Sequence, residues 1–183
     1  MATKTHTNTY QIKVTLADSK PPIWRRLLVP STITLAKLHD ILQIAMGWED
    51  YHLHQFIVNN QYYGVPDPEY AEEMKNEARV KLNGVLQQEK DTMVYEYDFG
   101  DSWNHKIVLE KILPHDPNIS LPRCTAGKRA CPPEDCGGVW GYADFLEAIG
   151  DPKHPEHEEM LDWVGGEFDP EHFDIAEVNS RFE

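Results

Sequence analysis

Residues 95–105 read Tyr95-Glu96-Tyr97-Asp98-Phe99-Gly100-Asp101-Ser102-Trp103-Asn104-His105, which puts carboxylates, a hydroxyl and an imidazole around one tight turn. An Asp–His pair orients an imidazole for proton transfer or for metal binding. On an extended strand Tyr95, Tyr97 and Phe99 share one face, and Glu96 and Asp98 the other. The register of the turn decides whether His105 reaches Asp98 or Asp101, and these three residues are the catalytic candidates. The competing expectation is that Asp101 and Ser102 satisfy turn amides, His105 is a half-exposed cross-strand partner and the aromatic rings are core.

A second constellation follows. Cys124, Cys131 and Cys136 lie in a glycine- and proline-rich stretch, and a zinc ion can organise such a segment. A fourth ligand would come from His105, His115 or Asp135. The gaps of six and four residues between the cysteines differ from the two-residue knuckles of common zinc fingers. Without metal, reduced cysteines act as small buried hydrophobes, or one becomes a reactive thiol if Lys128 or Arg129 stabilises its thiolate. His52 and His54 lie two apart and share a strand face, a spacing found in metal sites as well as on plain surfaces. Residues 154–158 lack the His-Glu-x-x-His order, and neither a phosphate loop, a dinucleotide fingerprint nor a Gly-x-Ser-x-Gly elbow occurs.

Several elements must position these groups. Residues 10–16 alternate apolar and polar side chains, and residues 23–29 make a second strand, antiparallel to the first, with its arginines facing water. Leu35, Leu38, Ile41, Leu42, Ala45 and Met46 recur at helical spacing, and Gly47 stops that helix. Residues 52–58 and 61–64 form a hairpin about Asn59-Asn60. An acidic insertion follows, with a short polar helix over residues 70–78. Residues 93–99 and 104–112 are the clearest strand pair, and Gly100 is expected to supply the positive φ of their turn. A loop over residues 114–140 leads to short helices near 142–149, 155–163 and 170–182, with Gly150 and Gly165 at C-cap positions. Strands first and helices later imply an α+β fold: a mainly antiparallel sheet with helices packed on it and a helical C-terminal part.

The 183 residues fit one domain over residues 10–183, with a polar, Thr-rich disordered tail over 1–9. That length buries about 70% of the surface of the unfolded chain. Seventeen Lys and Arg against 31 Asp and Glu give a net charge of −14, which opposes a phosphate backbone and favours basic protein partners. Arg25-Arg26 and Lys128-Arg129 read as solvated patches. No segment has the apolar length of a membrane span, and three cysteines fit a reducing, cytoplasmic setting.

Longer strings carry a resemblance: Pro22-Ile23-Trp24-Arg25-Arg26, Leu38-His39, Met46-Gly47-Trp48, residues 95–105, Cys131-Pro132-Pro133-Glu134-Asp135-Cys136-Gly137-Gly138 and Gly166-Glu167-Phe168-Asp169-Pro170. Over nearly the whole chain the sequence resembles the plasmid pRiA ORF-three-like domain family of chromosomes, plasmids and insertion elements. The resemblance implies a compact α+β fold, and some relatives are labelled transposon passenger or resolvase-like proteins. Three functional expectations follow. The first is a small binding or adaptor domain, with or without a structural zinc. The second is a metal-dependent, hydrolase-like enzyme built on Asp98, Asp101 and His105. The third is a nucleic-acid accessory protein of a mobile element, which needs a basic groove.

Overall fold

The computed structural model describes residues 7–69 and 74–183. Its strands are β1 (Thr9–Leu16), β2 (Trp24–Pro30), β3 (His54–Val58), β4 (Gln61–Gly64), β5 (Met74–Asn76), β6 (Thr92–Tyr97), β7 (Trp103–Leu113) and β8 (Arg123–Lys128). They form one sheet in the order β5-β4-β3-β6-β7-β1-β2-β8. All pairings are antiparallel except β4 with β5. The helices are α1 (Leu35–Met46), α2 (Leu82–Val85), α3 (Gly138–Gly150), α4 (His157–Val164) and α5 (Ile175–Ser180). The fold is therefore α+β on a mainly antiparallel sheet, and the C-terminal part is helical in separate pieces joined by turns.

Helix α1 forms where its apolar spacing requires it. Thr34 Oγ1 accepts the amide of Lys37 at its start, and Gly47, at φ 104, closes its end by donating to Gln43 O. The stripe Leu35, Leu38, Ile41, Leu42 and Met46 is buried with Ile12, Val14, Phe56, Tyr95 and Ile107 from the sheet. Each such aliphatic side chain contributes about 1.5–3 kcal/mol of burial.

Several sequence expectations are corrected. β8 lies inside the stretch read as a loop, added to the sheet edge against β2. The turn after β6 takes its positive φ from Asp98 (59°) and Ser102 (54°), with Gly100 outside that region. Gly150 is the last residue of α3, whereas Gly165, at φ 94, does cap α4. Of the polar helix expected over 70–78, residues 70–73 lie outside the described residues, 74–76 are β5 and 77–79 a 3-10 turn. The tail expected over 1–9 falls mostly outside them too, but Asn8 O accepts from Ser31 and Thr9 opens β1.

The arginines of β2 do not face water together. Arg25 is buried, donating to Ala45 O (2.8 Å), Lys128 O (3.1 Å) and Trp24 O (2.9 Å) beneath the Phe173 ring. Arg26 makes a two-pronged ion pair with Glu110 at 2.7 and 2.9 Å. Arg129 is buried as well, held by Glu171 and Pro21 O. Adjacent residues of a strand point to opposite faces, so Arg25 enters the covered face with Leu27 and Val29 while Arg26 stays on the half-exposed one.

Candidate functional site

The hairpin between β6 and β7 and the loop before α3 meet in space. Asp98 leaves the strand in the left-handed region, and its Oδ1 accepts the amides of Gly100 (2.9 Å) and Asp101 (3.3 Å). Asp101 Oδ2 in turn accepts the amide of Gly137 at 3.0 Å. Gly138, at φ 70, brings its backbone so near that an added Cβ would lie 2.7 Å from Asp101 O. Glycine is required there by both conformation and space.

His105 does not join Asp98 or Asp101. In the β6–β7 register it stands opposite Tyr95, fully enclosed. Its Nδ1 lies 3.1 Å from Tyr95 O, and Trp48 Nε1 donates to its Nε2 at 3.2 Å. These partners assign the neutral Nδ1–H tautomer and leave neither nitrogen for a substrate or an ion. Burial pushes its pKa down to about 4.

The imidazole beside Asp98 is His52. β3 pairs with β6 in the register His54 to Tyr97, and Asp98 N donates to Leu53 O at 2.9 Å, which carries His52 to the turn. His52 Nε2 lies 2.7 Å from Asp135 Oδ1, 3.5 Å from Asp98 Oδ2 and 3.9 Å from Glu134 Oε2. Glu134 Oε1 accepts from Glu49 N at 2.8 Å and from the Tyr97 hydroxyl at 3.1 Å. Burial, with that carboxylate second, raises the Tyr97 phenol pKa.

A second network lies under α1. The rings of His39 and His54 stack, with centroids 3.5 Å apart and planes within 7°. His39 Nε2 lies 2.9 Å from Asp50 Oδ1 and its Nδ1 2.8 Å from the Tyr95 hydroxyl, which also accepts from Gln43. His54 Nε2 lies 2.9 Å from the buried carboxylate of Glu77. Burial, followed by the neighbouring His54 charge, lowers the His39 pKa. Each imidazole thus has its own carboxylate, an arrangement that can hold and pass a proton.

Both networks open onto one groove of about 1010 Å³ between α1, the start of β3 and the β4–β5 edge. Leu53, Val65 and Phe99 stand exposed on its walls, Leu53 by 70%. Asp40, Asp50, Asp67 and Glu77 line it against a single Lys37.

The cysteines are elsewhere. Cys124 is buried in β8, its backbone clasped by Asn179 at 2.8 and 2.9 Å. Cys131 packs near Gly47, and Cys136 precedes the Gly137 clasp. Burial raises all three thiol pKa values, that of Cys136 to about 12, so the thiols are protonated at neutral pH despite the nearby Arg25. Two groupings place three ligand atoms within 4.8 Å of one another: His39 with Asp50 and His54, and His52 with Asp98 and Asp135. Among the described residues no such grouping includes a cysteine. His115 is exposed between β7 and β8.

Of the residues singled out in the sequence, the structure joins Asp98 with Asp135, turns His105 and His115 elsewhere, and leaves the cysteine sulfurs outside that ligand grouping though Cys136 adjoins it. His39, Asp50, Glu77 and Glu134 were not anticipated. His39 carried one signal, a histidine on the apolar face of α1.

The model of the plasmid pRiA4b ORF-3-like protein family matches residues 8–177. An uncharacterized protein, y4hQ, from Sinorhizobium fredii (strain NBRC 101917 / NGR234) is 39% identical over 171 residues, 92% of this chain and 88% of that protein. The crystal structure of a protein of unknown function, MM3350, from Methanosarcina mazei Go1 is similar at a TM-score of 0.87 and 41% identity, covering 95% of this chain and 99% of that one.

Proposed function

The chain belongs to the plasmid pRiA4b ORF-3-like family, and we propose that it is a binding domain whose groove receives an extended peptide segment carrying aliphatic or aromatic side chains beside a Lys or Arg. One observation carries this reading: apolar walls stand over a floor in which Glu77 and Asp50 are already fixed by His54 and His39. Apolar surface supplies the attraction, and oriented carboxylates, Glu77 enclosed and Asp50 exposed, select a cation. A net charge of −14 favours basic partners over nucleic acid.

The test is a panel of short synthetic peptides in which a central Lys is flanked by Leu and Phe, paired with versions carrying Glu in its place. Binding of the Lys peptides, weakened at least about tenfold by Glu77→Gln or Leu53→Ser, supports the groove. Equal binding of both charge versions, or insensitivity to both substitutions, refutes it.

A further inference from the structure

We propose that His52, Asp98 and Asp135 bind one divalent first-row transition ion at the end of the groove, through one imidazole nitrogen and two carboxylate oxygens, with the Glu134 carboxylate beside them. The Asp135 and Asp98 oxygens stand 2.7 and 3.5 Å from His52 Nε2, and the three ligand atoms all lie within 4.8 Å of one another. Ligands held about 2.0–2.2 Å from a tetrahedral ion lie about 3.3 Å from one another, within that spread.

The cluster is unsatisfied by itself. His52 Nε2 and Glu134 Oε2 are shielded from solvent, and neither has a hydrogen-bond partner. The short His52–Asp135 contact is therefore one of distance only, because its direction is wrong for a hydrogen bond. No Lys or Arg pairs with Asp98, Glu134 or Asp135 among the described residues. Three carboxylates gathered on one imidazole leave an excess of negative charge that a dication neutralises.

The surroundings have the form of ligand support. Asp98 is nine-tenths buried; its Oδ1 is held by the amides of Gly100 and Asp101, and its Oδ2 turns to His52. Glu134 repeats the pattern, with Oε1 held by Glu49 N and the Tyr97 hydroxyl and Oε2 left to the cluster. One anchored oxygen and one presented oxygen per carboxylate is how outer partners orient metal ligands. Asp135, 64% exposed, provides the entry side.

The other grouping does not serve an ion in the same way. A metal lies near the plane of each ligating ring, and the parallel planes of His39 and His54, 3.5 Å apart, share no point. Their outer nitrogens already face Asp50 and Glu77. A donor set of nitrogen and carboxylate oxygen without thiolate suits Zn2+ or Mn2+.

The experiment is calorimetric titration of chelator-stripped full-length protein with ZnCl2 and MnCl2, beside thermal melts. One ion per chain is expected, with a raised Tm, and His52→Ala and Asp98→Asn should each weaken binding at least about tenfold. Asp135→Asn, at an exposed position where asparagine tolerates the left-handed backbone, gives the same weakening should the buried variants fail to fold. Cys124→Ser, Cys131→Ser and Cys136→Ser should leave the isotherm unchanged. Absence of stoichiometric binding of either ion overturns the assignment. So does binding that survives Asp135→Asn and is lost with the cysteines.

Discussion

The amide of Gly137 donates to Asp101 Oδ2 at 3.0 Å, and this bond holds the loop before α3 against the β6–β7 hairpin. Two segments far apart in sequence thus become one surface, and Glu134 and Asp135 arrive beside Asp98 and His52 as a consequence. The carboxylate that looked catalytic is the clasp.

Asp101→Ala should cost about 1.5–3 kcal/mol, the range for a hydrogen bond to a charged group. Gly138→Ala combines a forced left-handed backbone with the crowded Asp101 carbonyl, so it should cost about as much or more. Urea unfolding measures both. A change below about 0.5 kcal/mol in either would mean that the clasp does not hold the loop.

Acid sensitivity should carry the signature of His105. Its folded pKa of about 4 lies below the ordinary value of 6.5, because burial disfavours the imidazolium. Above pH 6.5 the ring is neutral in folded and unfolded chains alike. Between 6.5 and 4 the unfolded chain takes the proton first, so stability falls as pH drops through that window, by about 3 kcal/mol in all. His39, also lowered, adds in the same direction. Imidazole nitrogen NMR at pH 5.5 should find His105 neutral with the proton on Nδ1; an imidazolium there contradicts its placement.

Much of the frame was legible from alternation and helical spacing: β1, α1, the β3–β4 hairpin and the β6–β7 pair stand close to where the residues put them. What failed had local causes. β8 reads Arg123-Cys124-Thr125-Ala126-Gly127-Lys128, with Cys124 its one fully buried side chain, so no apolar alternation announces an edge strand. Arg25 looked solvent-facing because coverage by Ala45 and Phe173 from distant segments is invisible along β2. Whether His105 reaches Asp98 or Asp101 depends on the turn register, and the register sets it opposite Tyr95 while the left-handed backbone at Asp98 ends the strand. The site partner, His52, reached Asp98 through cross-strand register, which one sequence does not determine.

The thiols should be inert in the folded protein. With pKa values raised by burial, Cys124, Cys131 and Cys136 should resist iodoacetamide at pH 7.5 and react after denaturation, as counted by mass spectrometry. Rapid labelling of one of them in the native state would reveal a thiolate that this packing does not predict.

The His54–Glu77 pair should be structural as well as selective. Both side chains are enclosed, so Glu77→Ala leaves His54 Nε2 without its partner and should cost about 1–3 kcal/mol. Glu77→Gln retains an acceptor and should lose far less. Thermal melts of the two variants separate hydrogen bonding from charge, and equal losses would contradict the account.

The most direct test of the groove is amide NMR mapping with the Lys-centred peptide. Saturable shifts are expected at Lys37, Leu53, Gln55, Tyr62 and Val65, abolished in the Leu53→Ser protein. Shifts confined to the opposite side of the sheet, or none at millimolar peptide, would contradict peptide binding in the groove.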